Sequence, residues 1–174
     1  MRATLFVLSL FVSVFVIFNV SFAFNQKNLD TLLATKRCEW CDLTNADLSR
    51  EDLPRARLSN SNLAGANLSG ADLSEANLSN ANLSRANLSG ANLTSAFLRG
   101  ALMRDANLSR ANLYNSTLDK ANLQGADVTG ANLTKASLSN TIWVTGRRCE
   151  EGSADKCWDD PSRQGGAGTG GIPF

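Results

Sequence analysis

The chain has 174 residues, 43% of them hydrophobic and 19% charged, with 17 Lys and Arg against 16 Asp and Glu and no histidine. Without an imidazole it lacks the usual general base, the commonest metal ligand and the partner of a nucleophilic serine, and no phosphate-cradling glycine loop takes their place. The near-neutral charge, with nine acidic and nine basic residues between positions 42 and 140, excludes both a polybasic nucleic-acid footprint and an acidic mimic of DNA. The expectation is a chain with no catalytic residues, no metal site, no cofactor and no nucleic-acid partner.

Residues 1–23 read as a secretory signal peptide. Arg2 supplies the positive start, Leu5 to Val20 is almost entirely apolar, and Ser21-Phe22-Ala23 places small residues where a signal peptidase reads them. The other reading is an uncleaved membrane anchor, because the apolar run approaches the roughly 18 residues of a spanning helix; Asn19 and the small-x-small site favour cleavage. No cysteine follows the site directly, which weighs against a simple lipoprotein. The expected location is therefore exported, periplasmic or secreted, with membrane attachment only if the segment stays on.

Residues 24–41 form the expected N-terminal cap. Asn28-Leu29-Asp30-Thr31-Leu32-Leu33 reads as a short amphipathic helix with Asn28 as N-cap and Asp30 in the first turn, ending before Cys38.

From Leu43 to Leu138 the phrase Ala-(Asn/Asp)-Leu-(Ser/Thr)-x repeats without insertion or deletion, and every fifth residue is Leu except Met103 and Val128. On an α-helix a step of five rotates each Leu by roughly 140° from the last, so the leucines scatter around the axis. On a flat strand an odd repeat sends successive leucines to opposite faces. Both conflicts vanish if the chain turns once per repeat, with Ala and Leu inward, Asn or Asp outward, and the Ser/Thr-x pair at a corner.

These residues resemble the pentapeptide-repeat family, whose motif sets a small residue two positions before a central Leu or Phe. The resemblance implies an all-β fold, a right-handed quadrilateral β-helix with four pentapeptides per coil. Twenty repeats within residues 42–141 then make about five coils and a rod roughly 24 Å long at about 4.8 Å per coil. Leu68, Leu73, Leu78, Leu83, Leu88 and Leu93 are the expected core ladder. Each coil buries its leucines against its neighbours, so the ends need caps.

Departures from the motif mark special places. Glu51, Ser61 and Ser116 replace the inward Ala, and Pro54, Arg55 and Arg57 lie close to Glu51. A buried unpaired carboxylate is costly, so a looser second coil is expected, with Glu51 bent outward toward one of those arginines. Phe97 and Leu102 hold outward positions normally given to Asn or Asp, and Tyr114 replaces a Ser or Thr. With Arg99 and Arg104 they form the candidate partner patch; the alternative is packing against the irregular coil or a returning C-terminal segment.

Thr141-Ile142-Trp143 keeps the register and sets Trp143 on the leucine stack as a plug before Gly146 ends the pattern. Residues 142–160 make the expected C-terminal cap, and the Gly-rich stretch 161–174 is expected to be disordered. Cys38 and Cys41 precede the rod while Cys149 and Cys157 follow it. Cysteines whose Cα atoms are more than about 7 Å apart cannot be bridged, which leaves local disulfides, Cys38 to Cys41 and Cys149 to Cys157. A zinc or redox reading of Cys38-x-x-Cys41 is weakened by the absence of histidine and of a second C-x-x-C.

The functional expectation is an exported, non-enzymatic pentapeptide-repeat scaffold that binds a protein or an envelope component. The alternative is a regulator of a DNA enzyme through a DNA-like rod, as in the family's gyrase-protecting members, which the neutral charge and the export signal disfavour. The mature protein is expected to begin at Phe24. N-terminal sequencing of the exported product checks this, and an intact Met1 end in a membrane fraction would establish the anchor instead.

Overall fold

A computed structural model describes residues 25–154 and residue 157. The expected signal peptide (1–23) and Gly-rich tail (161–174) lie outside the described residues, as does part of the C-terminal cap.

The chain enters through helix α1, Gln26–Thr35, preceded by Asn25 as N-cap with no side-chain capping bond. The helix starts earlier than its sequence suggests. The Asn25 carbonyl already accepts from the Asn28 and Leu29 amides at 2.7 and 3.2 Å, so Asn28 lies inside the first turn. Its side-chain amide is left to donate to the Asp42 carbonyl at 3.2 Å, tying helix to rod. Leu29 and Leu32, three apart on one face, are buried in the same core as the first leucines of the repeat. Lys36, in the left-handed conformation at φ 56°, ends the helix by donating its N–H to Leu32.

Beyond α1, the described residues hold isolated parallel bridges rather than long strands. Each outward residue pairs with the one twenty positions later, from Arg37 with Arg57 to Asn122 with Ile142. Four pentapeptides therefore complete one turn of a β-helix. The bonding is regular: Leu68 N–H donates to Asn87 at 2.7 Å, and Asn87 N–H donates back to Ala66 at 2.9 Å. The outward residues fall into four columns. Face 1 begins Arg37, Arg57, Asn77, Phe97; face 2 begins Asp42, Asn62, Asn82, Leu102; face 3 starts at Asp47 and face 4 at Asp52.

The corners explain how an odd repeat keeps one side inward. Every fifth residue from Trp40 to Asn140 has a positive φ, for example 57° at Asn45, 60° at Arg85 and 74° at Gly125. The preceding Leu carbonyl accepts from the next Ala amide across the turn, as from Ala46 to Leu43 at 3.0 Å. A positive φ at the third turn residue is what a type II turn demands. Arginines, lysines and one tryptophan hold it here at about 1 kcal/mol or more each, which the buried ladder outweighs.

Leu68, Leu73, Leu78, Leu83, Leu88 and Leu93 are all fully buried, and Met103 replaces Leu without leaving the core. Ser61 and Ser116 are buried at Ala positions, and their hydroxyls donate to the Leu58 and Leu113 carbonyls. Glu51 is exposed, but neither expected arginine takes it: Arg55 bonds to Glu75 at 2.9 Å and Arg57 faces Glu39 at 3.9 Å. Nor does it belong to a second coil. Position 31, twenty residues earlier, lies in α1, so Glu51 sits in the first turn with no repeat beneath it, and its inward position opens to solvent.

After Thr141 the chain reverses, and antiparallel bridges join Ile142 to Arg148 and Ser137 to Ala154. Trp143 keeps the inward register and packs on the core, though only half-buried. Disulfides join Cys38 to Cys41 and Cys149 to Cys157, with Cα separations of 5.3 and 5.1 Å. Both lie within the ordinary span of such a bond.

Replacing Leu78 or Leu88 by Ala is expected to cost about 2 to 5 kcal/mol, because the stacked backbone bonds stop the cavity from collapsing. Asn77→Ala loses one hydrogen bond, to the Ser79 amide at 3.1 Å, and should cost about 1 kcal/mol. Denaturant melts check the contrast, and equal costs would contradict the inward and outward assignments.

Candidate functional site: an interrupted edge of the rod

The outward Asn and Asp side chains do two jobs. All but Asp52, which is followed by Pro54 and pairs with Lys36, turn an Oδ1 back to accept the corner amide two residues on, as Asn87 accepts from Ser89 at 3.1 Å. The side chain thereby imitates a backbone turn. In most Asn the amide nitrogen then donates to the coil below, to an outward side chain or, from Asn62 and Asn112, to a corner Thr hydroxyl. Asn87 donates to Asn67 at 3.2 Å and Asn67 to Asp47 at 3.1 Å along face 3, while Asn82 donates to Asn62 at 3.1 Å along face 2. Surface amides are thus consumed by their own rod, leaving little for a ligand.

Carboxylates in these columns, and Glu75 on a corner, are held in the charged form. Asp47 lies below its ordinary carboxyl range because the Ser49 hydroxyl, the Ser49 amide and Asn67 donate to it. The Ser74 amide lowers Asp72, assisted by the Ser74 hydroxyl, Asn92 and the charge of Lys36. Thr129 lowers Asp127, and Arg55 lowers Glu75. No group of three or more His, Cys, Asp or Glu suited to a metal occurs among the described residues.

Large apolar residues replace outward Asn on two neighbouring faces at one level, and on face 2 this ends the amide ladder. Phe97 on face 1 follows Asn77, and Leu102 on face 2 follows Asn82; they are 51% and 46% exposed. Arg99 stands on the corner between them, exposed. The other two members of the expected patch flank this edge. Arg104, on the corner beyond face 2, bonds to Gln124, and Tyr114, on the corner before face 1 and one coil further on, lies 5.3 Å beneath the Lys135 ammonium. The structure thus gathers Phe97, Arg99 and Leu102 on one edge and sets Arg104 and Tyr114 to either side.

Sequence reasoning missed Trp40, which is 77% exposed. It occupies the left-handed corner position at φ 62° inside the Cys38–Cys41 loop. Trp40, Arg99 and Gly100 share one corner column, since Arg37 and Phe97 open the two pentapeptides on face 1. The repeat register, extended one pentapeptide before Leu43, was the signal that would have found it. Elsewhere, small residues at Ala64, Gly65 and Gly125 hollow an open groove of about 760 Å³ between faces 2 and 3, with Arg85, Arg104 and Asp105 midway. It holds no acid–base pair arranged for chemistry.

A solenoid of five-residue repeats with one interrupted edge is the class that this geometry defines. The chain belongs to the pentapeptide-repeat family: the family model "Pentapeptide repeats" matches in eight copies over residues 37–74, 66–105, 81–119 and 106–142. Solved structures similar to it include the pentapeptide repeat protein Rfr23 of the cyanobacterium Cyanothece 51142, at 30% identity over 68% of this chain and 98% of that one, TM-score 0.41. HetL of Nostoc sp. PCC 7120, a pentapeptide repeat protein involved in heterocyst differentiation regulation, is 34% identical over 64% of this chain and 65% of its own, TM-score 0.30. A pentapeptide repeat protein of the Arabidopsis thaliana thylakoid lumen is 34% identical over 61% and 68%, TM-score 0.36. No curated protein matches.

The lowered carboxylates set an acid limit. A carboxyl depressed by folding contributes stability above its unfolded value, and that contribution is lost as pH falls through the folded value, so loss should begin below about pH 4. Thermal melts between pH 7 and pH 2 are expected to show Tm falling in that range. Asp72→Asn should flatten part of the fall.

Proposed function

We propose that this chain is an exported, non-enzymatic scaffold, a right-handed quadrilateral β-helix of about five coils that binds another protein or an envelope component through the edge between faces 1 and 2. Right-handed winding is supported by the near-universal hand of crossovers between parallel strands, and the coil count by a twenty-residue turn over residues 42–141. Export is supported by the reading of residues 1–23 and by two disulfides, which persist in oxidising compartments. The observation that carries the binding reading is the loss of outward Asn and Asp along this edge: on faces 3 and 4 the outward residues are all Asn or Asp, and at Phe97 and Leu102 they are exposed and apolar.

Phe97 and Leu102 each give up the corner hydrogen bond that Asn77 and Asn82 make with the amide two residues on, and they expose apolar surface beside Arg99. Aromatic and Arg residues recur at the energetic centres of interfaces. The double change Phe97→Asn with Leu102→Asn restores the repeat's usual outward residue at both places. The variant is expected to match or exceed the parent in thermal stability, to appear in the same exported fraction, and to lose partners captured by the wild-type chain. Undiminished capture by a stable variant would place the binding face elsewhere.

A further inference from the structure

We propose that the edge between faces 1 and 2 receives an extended, acidic segment of a partner protein, whose apolar side chains four residues apart sit on Trp40 and on the Phe97–Leu102 pair; this deepens the reading of that edge as the partner-facing surface. Three of the four large hydrophobic residues exposed among the described residues lie there, Trp40 at 77%, Phe97 at 51% and Leu102 at 46%. Trp40 and Phe97 belong to pentapeptides three turns apart on the same column. At about 4.8 Å per turn their separation along the rod is roughly 14 Å. An extended segment rises about 3.4 Å per residue, so four residues cover the same distance, and side chains four apart point to one side. A helix advances only about 6 Å in four residues and would need anchors much further apart in sequence.

The chemistry around the anchors selects the partner's character. At the other corners an outward Asn or Asp accepts most of the corner amides, as Asn92 accepts from Thr94 and Asp127 from Thr129. On this edge Arg37, Arg57, Phe97 and Thr117 occupy that place, and the amides of Glu39, Ser59, Arg99 and Asp119 have no acceptor among the described residues. The edge thus offers main-chain donors at four levels. Its charges point the same way. Of its three acids, Glu39 faces Arg57, Asp42 accepts from Thr44, and Asp119 accepts from Ser137 and Ser139. Arg37, Arg99 and Lys120 have no ion pair among the described residues. Unpaired cations at both anchors and one turn beyond Phe97, with open donors at those levels and at Ser59 between the anchors, fit a segment rich in carboxylates and carbonyls.

The test uses the mature chain with its disulfides intact and a labelled peptide, Glu-Asp-Phe-Glu-Ser-Asp-Leu-Asp-Glu, in which Phe and Leu are four apart. A second peptide of the same composition, Glu-Phe-Asp-Glu-Ser-Asp-Leu-Asp-Glu, sets them five apart and on opposite sides. Fluorescence anisotropy is expected to show the first binding about tenfold tighter than the second. Trp40→Asn and Arg99→Glu should each remove most of that preference, while thermal melts show both variants folded. Both side chains are exposed and outside the core, so folding is not at stake; a variant that did not fold would be replaced by Leu102→Asn, for which the same loss is required. No binding, equal binding of the two peptides, or binding unchanged by Trp40→Asn would overturn the proposal. Displacement of the peptide by polygalacturonate, with polygalacturonate binding tighter and lost in the same variants, would overturn it in favour of an anionic polysaccharide. If the peptide fails while wild-type chain still captures a partner that the Phe97 and Leu102 double variant loses, the extended-segment assignment falls and the broader reading of the edge stands.

Discussion

Everything in this molecule depends on one conformational constraint, the left-handed corner residue that recurs every five positions from Trp40 to Asn140. An L-residue with positive φ is disfavoured, yet without it the chain would continue straight and an odd repeat would throw alternate leucines into solvent. With it, each Leu and the Ala two before it stay inward, and the chain returns over itself after twenty residues. The stacked amide bonds and the leucine ladder follow from that return. Because each turn leans mainly on its neighbours, local strain at the corners is tolerated by burial summed along the rod rather than at any one site.

The outward Asn or Asp is the second half of the same device. Its Oδ1 accepts the corner amide, which would otherwise need water, and its nitrogen stitches one coil to the next, as in the run Asp47, Asn67, Asn87. This accounts for the choice of Asn and Asp over other polar residues: only a short side chain carrying an oxygen at this reach closes the turn. It also makes the rod's surface self-satisfied. Departures at the outward positions therefore carry more information than departures inside, where Ser61 and Ser116 simply find a carbonyl of their own.

Those departures concentrate on one side. Face 1 carries Arg37, Arg57, Phe97 and Thr117 where the repeat elsewhere prefers Asn or Asp, and face 2 carries Leu102 and Ile142. The rod is thus regular on faces 3 and 4 and irregular along the edge between faces 1 and 2. In the proposed scaffold role, one distinct edge would present a partner with a single orientation. The two end structures, α1 with the Cys38–Cys41 bridge and the reversed segment with Cys149–Cys157, close the first and last leucines without covering that edge at Trp40.

The linear order of residues determined the five-residue turn, the inward Leu and Ala, the outward Asn, the family and the local pairing of cysteines, because each of these depends on periodicity or on short separations in the chain. It also singled out Phe97 and Leu102, which break a visible pattern. What only the tertiary structure decided depends on neighbours twenty residues away or at the ends of the rod. Asn28 reads as a cap in isolation, but the Asn25 carbonyl starts the helix earlier and Asn28 is claimed by Asp42. Glu51 reads as a partner for nearby arginines, but stacking brings Glu75 of the next coil to Arg55 and Glu39 of the preceding coil to Arg57 and leaves Glu51 on the open first turn. Trp40 reads as a residue within a cysteine pair, and only winding the chain through three further turns places it on the same edge as Phe97, because side chains become neighbours along a solenoid by register and not by sequence distance.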